Sequence, residues 1–328
     1  MSQALSESPA TLPDRIPLHF LGPEGTFTHQ AALEATNLME TRLGCQADLR
    51  PCTDAAAIVA AVEEGRGWGV LAWENNVEGH VVPNMDALID AQAVAGFGMV
   101  RLPIVFDAFV RADHGTLRQV GAHPHGLAQC KGFIQETGLN PVTANSNAAA
   151  CRDLGPDQVA LGPRICGSLY GLETYRREVQ DYQGARTDFL LLAPRDQAAR
   201  LARRLAPGGD FESIITFIPL NTGPGVLANL LDRLRDAGLN MTSFMSRPIK
   251  GHDGTYSFVA SIDAAPWQKG LHQVLADLLE RGDWLKTLAV HPRTPHPAPP
   301  IREWMLPRAG AFRGEDPDTE TISKELLW

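Results

Sequence analysis

The chain has 328 residues, a length typical of two domains rather than one. Its 29 Lys and Arg residues and 38 Asp and Glu residues give a formal net charge of −9, which argues against a nucleic-acid-binding protein. Apolar residues make up 44% of the chain and charged residues 20%, as in ordinary globular proteins. The apolar runs are far shorter than the ~20 residues that cross a bilayer. The first twenty residues lack the apolar stretch of a signal peptide, so we expect a cytoplasmic protein that binds no membrane.

The N-terminal part of the chain alternates strands with helices. Residues 1–16 are polar and are predicted to form a disordered leader. A predicted strand then runs into a Gly-Pro-Glu-Gly turn and a helix that begins at Thr26 or Phe27. The elements predicted to follow are a helix at Ala55–Glu64, a strand at Trp68–Trp73 and a short helix at Pro83–Ala91. This alternation is typical of a parallel α/β sheet.

The same alternation starts again after about residue 104. The predicted strands there are Ile104–Val110, Val120–His123, Val142–Ala144, Gln158–Leu161 and Thr187–Ala193, and the predicted helices are His125–Glu136, Ala148–Leu154 and Pro163–Tyr170. Residues 17–194 are therefore predicted to form two α/β lobes, one of about 17–104 plus 187–194 and the other of 105–186. Two crossings between the lobes leave a cleft, the usual place for a small ligand.

A second domain follows. Residues 195–210 are rich in Arg, Ala and Gly and are predicted to form a linker. Residues 211–291 carry a strand-helix-strand-strand-helix-strand pattern, which predicts a ferredoxin-like fold. The proline-rich residues 292–328 are predicted to lie outside that fold as a C-terminal tail.

Two polar turns are candidate binding elements. The Gly22–Thr26 turn precedes one predicted helix, and Ser146 with Asn147 precedes another. Free N–H groups at two helix N-termini would suit a small dicarboxylate, although both turns are also explained as plain N-caps. Glu74 directly follows a buried strand and is either a cleft carboxylate or a cap for the next loop.

The cysteine and histidine residues do not predict a metal site. The five cysteines form no Cys-x-x-Cys pair, which favours buried reduced thiols over a zinc site or a disulfide framework. His29, His123 and His125 lack the spacing and the partners of metal ligands.

Most of the chain resembles a known family. Five segments are similar, in order, to motifs of prephenate dehydratases: Leu21-Gly22-Pro23-Glu24-Gly25-Thr26-Phe27-Thr28, Glu74-Asn75-Asn76-Val77-Glu78-Gly79, Ser146-Asn147-Ala148-Ala149-Ala150, Tyr170-Gly171-Leu172 and Arg186-Thr187-Asp188-Phe189. Residues 213–290 resemble the ACT domain that follows in those enzymes. The resemblance implies an α/β fold with a two-lobed, periplasmic-binding-protein-like catalytic domain and a ferredoxin-like (βαββαβ) ACT domain that binds phenylalanine. It also implies the loss of water and CO2 from prephenate to give phenylpyruvate, with no cofactor.

The resemblance assigns roles to individual residues. It makes Thr187 the donor that helps the C4 hydroxyl of prephenate to leave. The other matched residues fall into a catalytic, a substrate-binding and a phenylalanine-binding set. The catalytic set is Thr187, Glu74 and Asn75; the substrate-binding set is Gly25, Thr26, Phe27, Asn76, Ser146, Asn147, Arg186 and Phe189; the phenylalanine-binding set is Gly225, Val226, Leu227, Asn240, Ser246 and Arg247. The resemblance further implies a homodimer or homotetramer assembled through the ACT domains.

Several positions depart from the family pattern. The family's Thr-Arg-Phe is Thr187-Asp188-Phe189 here, so an anion stands next to the expected catalytic hydroxyl. Toward a dianionic substrate we expect this to cost about 1 kcal/mol or more, unless Arg186 or Arg164 compensates. Gly184 and Asn76 replace an Asn and a Ser, and Met245 replaces a Glu of the ACT domain.

These departures leave other functions open. One is a diverged lyase, either a prephenate decarboxylase or an arogenate dehydratase in which Asp188 pairs with the substrate's ammonium group. Another is a non-catalytic amino-acid sensor. The ACT segment is also open to interpretation as a dimerisation module without a ligand.

Overall fold

The computed structural model of the chain describes residues 12–221, 223, 225–249, 251–252, 255–293, 301–307, 310–311 and 319–327. The chain divides into two compact units, residues 1–293 and residues 294–328. Within the described residues, no helix combines the length and the apolar character needed to cross a membrane.

The first unit alternates strands and helices along most of its length. In chain order its described strands are β1 (Arg15–Leu21), β2 (Gln46–Cys52), β3 (Trp68–Asn75), β4 (Gly79–His80), β5 (Val94–Pro103), β6 (Phe106–Val110), β7 (Gln119–Ala122), β8 (Asn140–Thr143), β9 (Gln158–Pro163), β10 (Glu173–Arg176), β11 (Arg186–Pro194), β12 (Phe211–Ile218), β13 (Met241–Pro248), β14 (Tyr256–Ile262) and β15 (Trp284–Pro292). Its described helices are α1 (Phe27–Leu38, extended by a π-helical turn Met39–Leu43), α2 (Ala55–Glu63), α3 (Val82–Asp90), α4 (Pro124–Gln129), α5 (Lys131–Thr137), α6 (Asn147–Arg152), α7 (Ile165–Tyr170), α8 (Arg195–Leu205), α9 (Val226–Asp236) and α10 (Lys269–Glu280).

One large sheet runs through most of the first unit. Its strand order is β13-β14-β12-β15-β5-β11-β3-β1-β2, with β4 added beside β3. Strands β1, β2 and β3 are parallel, and β11 runs antiparallel between β3 and β5. The parallel sheet predicted for the N-terminal part is thus confirmed for β1–β3, whereas the returning strand β11 reverses direction.

A second sheet forms the other lobe. Its order is β10-β6-β9-β7-β8, and helices α4 to α7 connect its strands. The chain enters this lobe after β5 and returns to the large sheet at β11. The predicted two-lobed α/β arrangement with two crossings, like that of periplasmic binding proteins, is therefore confirmed.

The C-terminal part of the large sheet is the predicted βαββαβ unit. Strands β12 to β15 with helices α9 and α10 appear in the expected order. One face of these strands packs against α9 and α10 around Phe217 and Leu234. The opposite face carries Ile214, Val259 and Leu288, which are buried in a cluster shared with α2 and α3 of the first lobe. The ACT-like domain therefore lies directly on the catalytic lobe.

The two domains are joined at the backbone. Strand β15 pairs parallel with β5 at Ala289 and Gly96. A Cβ on Gly96 would come within 2.5 Å of the Cβ of Ala289, so glycine is needed for this approach. The Arg195 guanidinium donates to the Thr287 and Val94 carbonyls, both at 2.9 Å, and Lys286 donates to carbonyls at the end of α3.

The structure differs from the predicted elements at several places. Strands β2, β4 and β10 are not among the predicted elements. The predicted linker 195–210 contains helix α8, because Ala198, Leu201, Ala202 and Leu205 form a buried stripe at helical spacing behind an arginine-rich exposed face. Strand β5 was not predicted, since its glycines disfavour strands in isolation. The helix expected at His125–Glu136 divides at Cys130 into α4 and α5.

The ends of the chain are described only in part. Residues 1–11 of the predicted leader lie outside the described residues, and Arg15 already belongs to β1. In the second unit, taken by itself, the structure describes a 3-10 turn at Glu303–Met305 and a helix α11 at Thr319–Leu326. The remaining positions of the predicted tail lie outside the described residues.

Candidate active site

The predicted site residues gather at one edge of the large sheet. Strands β1 and β3 are parallel, so the turn after Leu21 and the end of β3 lie at the same edge. Strand β11 begins at this edge, and its Thr187 is paired in register with Asn75. The carboxyl ends of the parallel strands β1 and β3 therefore lie beside the start of the antiparallel strand β11.

Asn75 and Thr187 form the central polar contact. The Asn75 Nδ2 donates to the Thr187 Oγ1 at 2.9 Å. The orientation of the amide follows from its other end, because Oδ1 accepts from the backbone N–H groups of Val77 and Glu78 at 2.9 and 3.0 Å. The Thr187 oxygen is therefore an acceptor toward Asn75. Its own O–H has no acceptor among the described residues and is available to a ligand.

Asn76 supports the crossing between the lobes. Its Nδ2 donates to the Gly184 carbonyl at 3.0 Å, and its Oδ1 accepts from the Arg186 N–H at 2.7 Å. Both polar ends of this side chain thus hold the chain that leads into Thr187. Asn76 contributes to the site by fixing the start of β11.

The turn before α1 is also held by its own side chains. The Thr26 Oγ1 accepts from the His29 N–H and donates to the Leu21 and Pro23 carbonyls, so its hydroxyl is occupied. The His29 Nδ1 accepts from the Gly25 N–H at 3.0 Å. Burial lowers the pKa of His29, which favours the neutral ring that this contact requires, although Glu24 acts in the opposite direction. Thr26 is therefore an N-cap, as one of the two interpretations of this turn proposed.

The second lobe closes onto the same turn. The Tyr170 hydroxyl donates to the Glu24 carbonyl at 2.6 Å, and the Cys166 thiol donates to the Gly25 carbonyl at 3.3 Å. Gly25 has φ +86°, and a Cβ there would lie 3.1 Å from the Tyr170 hydroxyl. The glycine is needed both for the turn and for the close approach of the two lobes.

The remaining predicted substrate-binding residues divide by position. The Phe27 ring meets Phe106 of the second lobe at 5.1 Å, so it lies at the lobe boundary. Ser146 caps α6 by accepting from the Ala149 N–H, and the Asn147 Oδ1 accepts from the His123 N–H. Phe189 is buried in the core beneath the site. Arg186 is exposed and directly precedes Thr187. Because side chains alternate along a strand, the side chain of Arg186 leaves β11 on the face opposite to that of Thr187.

Glu74 and Asp188 lie behind the site rather than in it. The two residues are paired in register, one position away from Asn75 and Thr187, and so occupy the reverse face of the strands. Glu74 Oε1 is 3.8 Å from His80 Nε2, and Asp188 Oδ2 is 3.4 Å from Arg101 Nε. The structure therefore does not bring Glu74 to the Asn75–Thr187 contact. The expected penalty of Asp188 toward a dianionic substrate also does not apply, because Asp188 does not face the Thr187 hydroxyl.

Arg164 does not compensate for Asp188 either. Its guanidinium is engaged within the second lobe by Asp107, at 3.0 Å, and by Glu178.

Behind the site, Arg101 is the cation that faces Asp188. The buried His291 of β15 lies near enough for Arg101 and Asp188 to affect its pKa. Burial is the larger influence and lowers the pKa of His291. The reverse face of β11 thus lies close to the ACT-like domain.

A separate groove lies in the ACT-like domain. Its volume is about 660 Å³, and its lining includes Gly225, Val226, Leu227 and Tyr256. Three of the six residues predicted to bind phenylalanine therefore share this groove. Asn240 lies beyond the far end of α9, whose 11 residues span about 16 Å.

The other two predicted effector residues lie on β13. Ser246 is exposed, whereas the Arg247 guanidinium binds both carboxylate oxygens of Asp86 on α3, each at 2.9 Å. Arg247 thus joins the ACT-like domain to the first lobe and does not line the groove.

A family model for prephenate dehydratase matches residues 18–197. The chain belongs to the prephenate dehydratase family. A relative named prephenate dehydratase from Mycolicibacterium gilvum is 32% identical over 81% of this chain and 89% of its own length. A relative from Komagataeibacter europaeus, named bifunctional N-acyl-homoserine lactone acylase/prephenate dehydratase, is 32% identical over 75% of this chain and 87% of its own.

A solved structure of the family shows the same fold. The prephenate dehydratase from Arthrobacter aurescens, solved in complex with L-Phe, superposes with a TM-score of 0.71 over 88% of this chain and 94% of its own, at 24% identity. The predicted family and fold are therefore confirmed, with the ACT-like domain included in the matched length.

Two site residues were not singled out from the sequence. Glu78 accepts from Gln129 Nε2 at 2.8 Å and lies 3.5 Å from His125 Nδ1, so it bridges the two lobes. His80 contacts both Glu74 and the ACT-like domain. Both lie in or next to the Glu74–Gly79 motif, but only the folded pairing of β3 with β4 shows what they touch. The described residues contain no cluster suited to a metal ion.

Proposed function

We propose that the Asn75–Thr187 pair is the catalytic centre at which this member of the family converts prephenate to phenylpyruvate. The single observation that carries the assignment is the polarity of the contact. Asn75 donates to the Thr187 oxygen, and the Thr187 proton remains available. A hydroxyl held in this way is a hydrogen-bond donor aimed at a ligand, which is the group that a departing hydroxide needs.

The reaction requires little more than this donor. As the bond from the ring to its carboxylate breaks, its electron pair enters the ring, CO2 leaves, and the bond from C4 to its hydroxyl breaks. The ring becomes aromatic, and the leaving hydroxide takes up a proton to become water. A threonine hydroxyl is too weak an acid to be tuned by a pKa shift, so Thr187 acts by orientation and by stabilising the developing charge.

Binding of the two substrate carboxylates is assigned to the lobe boundary. In the described part of the chain, nothing accepts the backbone N–H groups of Phe27 and Thr28 at the start of α1. The N-terminus of a helix favours an anion through these groups and through the helix dipole. Lobe closure at Gly25 and Glu24 brings the second lobe to this helix end.

The alternative activities lose their particular support. Pairing of an arogenate ammonium with Asp188 required that carboxylate at the substrate, and Asp188 lies on the reverse face. The relative from K. europaeus is also named an N-acyl-homoserine lactone acylase, which raises amide hydrolysis as a further alternative. A hydrolase that uses Thr187 as a nucleophile would need a general base beside it, and the side chain bonded to Thr187 is the Asn75 amide, which cannot take a proton. Both alternatives remain outcomes of a product assay.

The test compares Thr187→Val with Thr187→Ser. Valine keeps the shape and removes the donor, so we expect kcat for phenylpyruvate formation to fall at least tenfold. A positioned proton donor typically contributes about 10²–10⁴-fold. Serine keeps the hydroxyl and is the matched control, with kcat within about tenfold of the wild type. Prephenate consumed without an aromatic product would instead indicate a decarboxylase, and wild-type turnover by Thr187→Val would refute the assignment.

We also propose that the groove at Gly225–Leu227 binds phenylalanine. A largely apolar lining suits an aromatic side chain, and the relative from A. aurescens was solved with L-Phe. Asn240 is too far away to touch the same ligand within one chain. Its participation requires a second copy, which is consistent with β13 lying unpaired at the edge of the described sheet.

Calorimetry with phenylalanine tests this second assignment. We expect binding to the wild type, with loss of most of the affinity in Leu227→Asp, and a dimer or tetramer by sedimentation. A protein that assembles but binds no phenylalanine would make the ACT-like domain a dimerisation module without a ligand.

A further inference from the structure

The position of the Asn75 amide depends on a short hairpin. After β3 the chain turns through residues 76–78 and returns as β4, where Glu74 pairs with His80 and Asn75 pairs with Gly79. Inside this hairpin the Asn75 Oδ1 holds the N–H groups of Val77 and Glu78. Any displacement of β4 therefore moves the amide that orients Thr187.

His80, at the end of this hairpin, holds β4 in place through its contacts with neighbouring residues. The His80 ring packs edge-on against Trp73, with centroids 6.0 Å apart, and its side chain is 11% exposed. Its Nε2 is 3.3 Å from the Ser243 Oγ on β13 and 3.8 Å from the Glu74 carboxylate. A carboxylate only accepts, so the partners assign the proton to Nε2. One imidazole N–H thus faces a residue beside the catalytic pair and a residue of the ACT-like domain.

Strand β13 connects His80 to the groove. Ser243 and Arg247 lie on the same face of β13, and Arg247 is anchored on Asp86 of α3. Immediately after β13, Ile249 lines the groove, and Tyr256 on the paired strand lines it as well. A ligand that repositions the end of β13 therefore acts on the strand that holds His80.

We infer that His80 is a positioning residue that holds the Asn75 hairpin for catalysis and transmits the state of the ACT groove to it through Ser243. His80 does not touch the substrate; it acts through Asn75 on Thr187. The regulatory half of this inference rests on the proposed binding of phenylalanine in the groove. A contact in which one ring joins the two domains gives an effector a direct mechanical path to the catalytic hydroxyl.

The decisive variant is Ser243→Ala. It removes the hydroxyl that His80 meets and leaves the hairpin, Thr187 and the groove intact. We expect basal kcat within about threefold of the wild type and phenylalanine affinity by calorimetry within about threefold, while the change in kcat caused by saturating phenylalanine shrinks at least about threefold. Thr242→Ala is the matched control, because its hydroxyl on the same strand meets Glu212 instead, and it should respond as the wild type does.

Variants of His80 test the positioning role separately. His80→Leu removes the N–H, and we expect kcat to fall about tenfold with KM within about threefold, since the substrate contacts are unchanged. His80→Gln returns an amide N–H to the Nε2 position and should recover most of kcat. Equal loss in both variants, or a loss confined to KM, would overturn the positioning role.

The outcomes separate this inference from the assignments on which it rests. If the wild type responds to phenylalanine and Ser243→Ala responds equally, the inference fails while the proposed regulation stands. If the wild type neither binds phenylalanine nor changes its rate, the proposed regulation fails and the regulatory half of the inference fails with it. A reduced response in Ser243→Ala with normal binding supports the inference.

Discussion

The two faces of the β3–β11 strand pair have different surroundings; the front is the face that carries Asn75 and Thr187. On the front, Asn75 and Thr187 make one hydrogen bond that leaves a hydroxyl proton for the substrate. On the reverse, Glu74 and Asp188 face His80 and Arg101, next to the ACT-like domain. A single-residue step along a strand reverses the face. One position of each motif therefore belongs to the proposed catalytic centre, and its neighbour faces the ACT-like domain. Proximity in sequence to a catalytic residue is therefore poor evidence that a charge acts on the substrate.

The largest expected effect comes from inverting the front contact. In Asn75→Asp, the carboxylate still accepts the N–H groups of Val77 and Glu78 but has no proton to give to Thr187. It would accept the Thr187 proton instead and withdraw it from the substrate. We expect kcat to fall about 100-fold, by analogy with the loss of one transition-state donor.

Steady-state kinetics and thermal unfolding together check this variant. The loop contacts remain, so the unfolding temperature should stay within a few degrees of the wild type. A wild-type kcat in Asn75→Asp would show that the direction of the hydrogen bond does not matter and would remove the contrast between the two faces.

The next effect concerns the reverse face. Asp188→Arg restores the arginine of the family motif but places it against Arg101 in a partly buried position. We expect the free energy of unfolding to fall by about 2 kcal/mol or more, without a gain in dehydratase activity. The exchange Asp188→Arg/Arg101→Asp should recover most of the stability. Higher activity in the single variant would show that residue 188 does reach the substrate.

A smaller effect is expected where the two domains meet. Gly96→Ala adds a Cβ about 2.5 Å from that of Ala289, so β15 must shift away from β5. We expect a loss of about 1–3 kcal/mol, as for overpacked cores. Gly115→Ala is the control, because nothing lies closer than 4.0 Å to its added Cβ. Equal unfolding temperatures for the two variants would contradict the close contact.

The smallest expected effect is a loss of stability in mild acid. Burial lowers the pKa values of His29, His123 and His291 in the folded chain. Below the ordinary value of about 6.5 the unfolded chain takes up protons that the folded chain refuses, so acid favours unfolding. The free energy of unfolding should therefore fall as the pH is lowered from 7 toward 5. Denaturant titrations check this, and His291→Gln should flatten the profile. An unchanged slope in that variant would show that the buried ring does not contribute.

The sequence is sufficient for the lobes and the ACT-like domain because their signals are local. The alternating strands and helices appear where the pattern places them, as do the start of α1 after Thr26, the start of α2 at Ala55 and the end of α7 at Tyr170. Strand β5 is different, because the close contacts of its glycines come from distant parts of the chain. Gly96 approaches Ala289, 193 residues later, and Gly98 approaches Leu205 of α8, 107 residues later. Likewise, the arginines on the exposed face of α8 make its sequence resemble a polar linker.

The site follows the same division. The motifs locate Asn75 and Thr187, and the structure brings them together. The pairing that sets Thr187 against Asn75 and Asp188 against Glu74 is followed by a register shift between Asp188 and Phe189. Such a shift is set by tertiary pairing and has no signature in the residues themselves. The sequence therefore identifies the participants in the site more reliably than it assigns them to one face.

The junction of β5 with β15 also has a consequence for the order of folding. During synthesis β5 is complete about 180 residues before its partner appears, so one edge of the catalytic sheet waits for the last strand of the chain's first unit. An open sheet edge is a template for pairing with other chains. The ACT-like domain thus acts as an edge cover for the nascent lobe, and a chain truncated after α8 is expected to aggregate during biosynthesis.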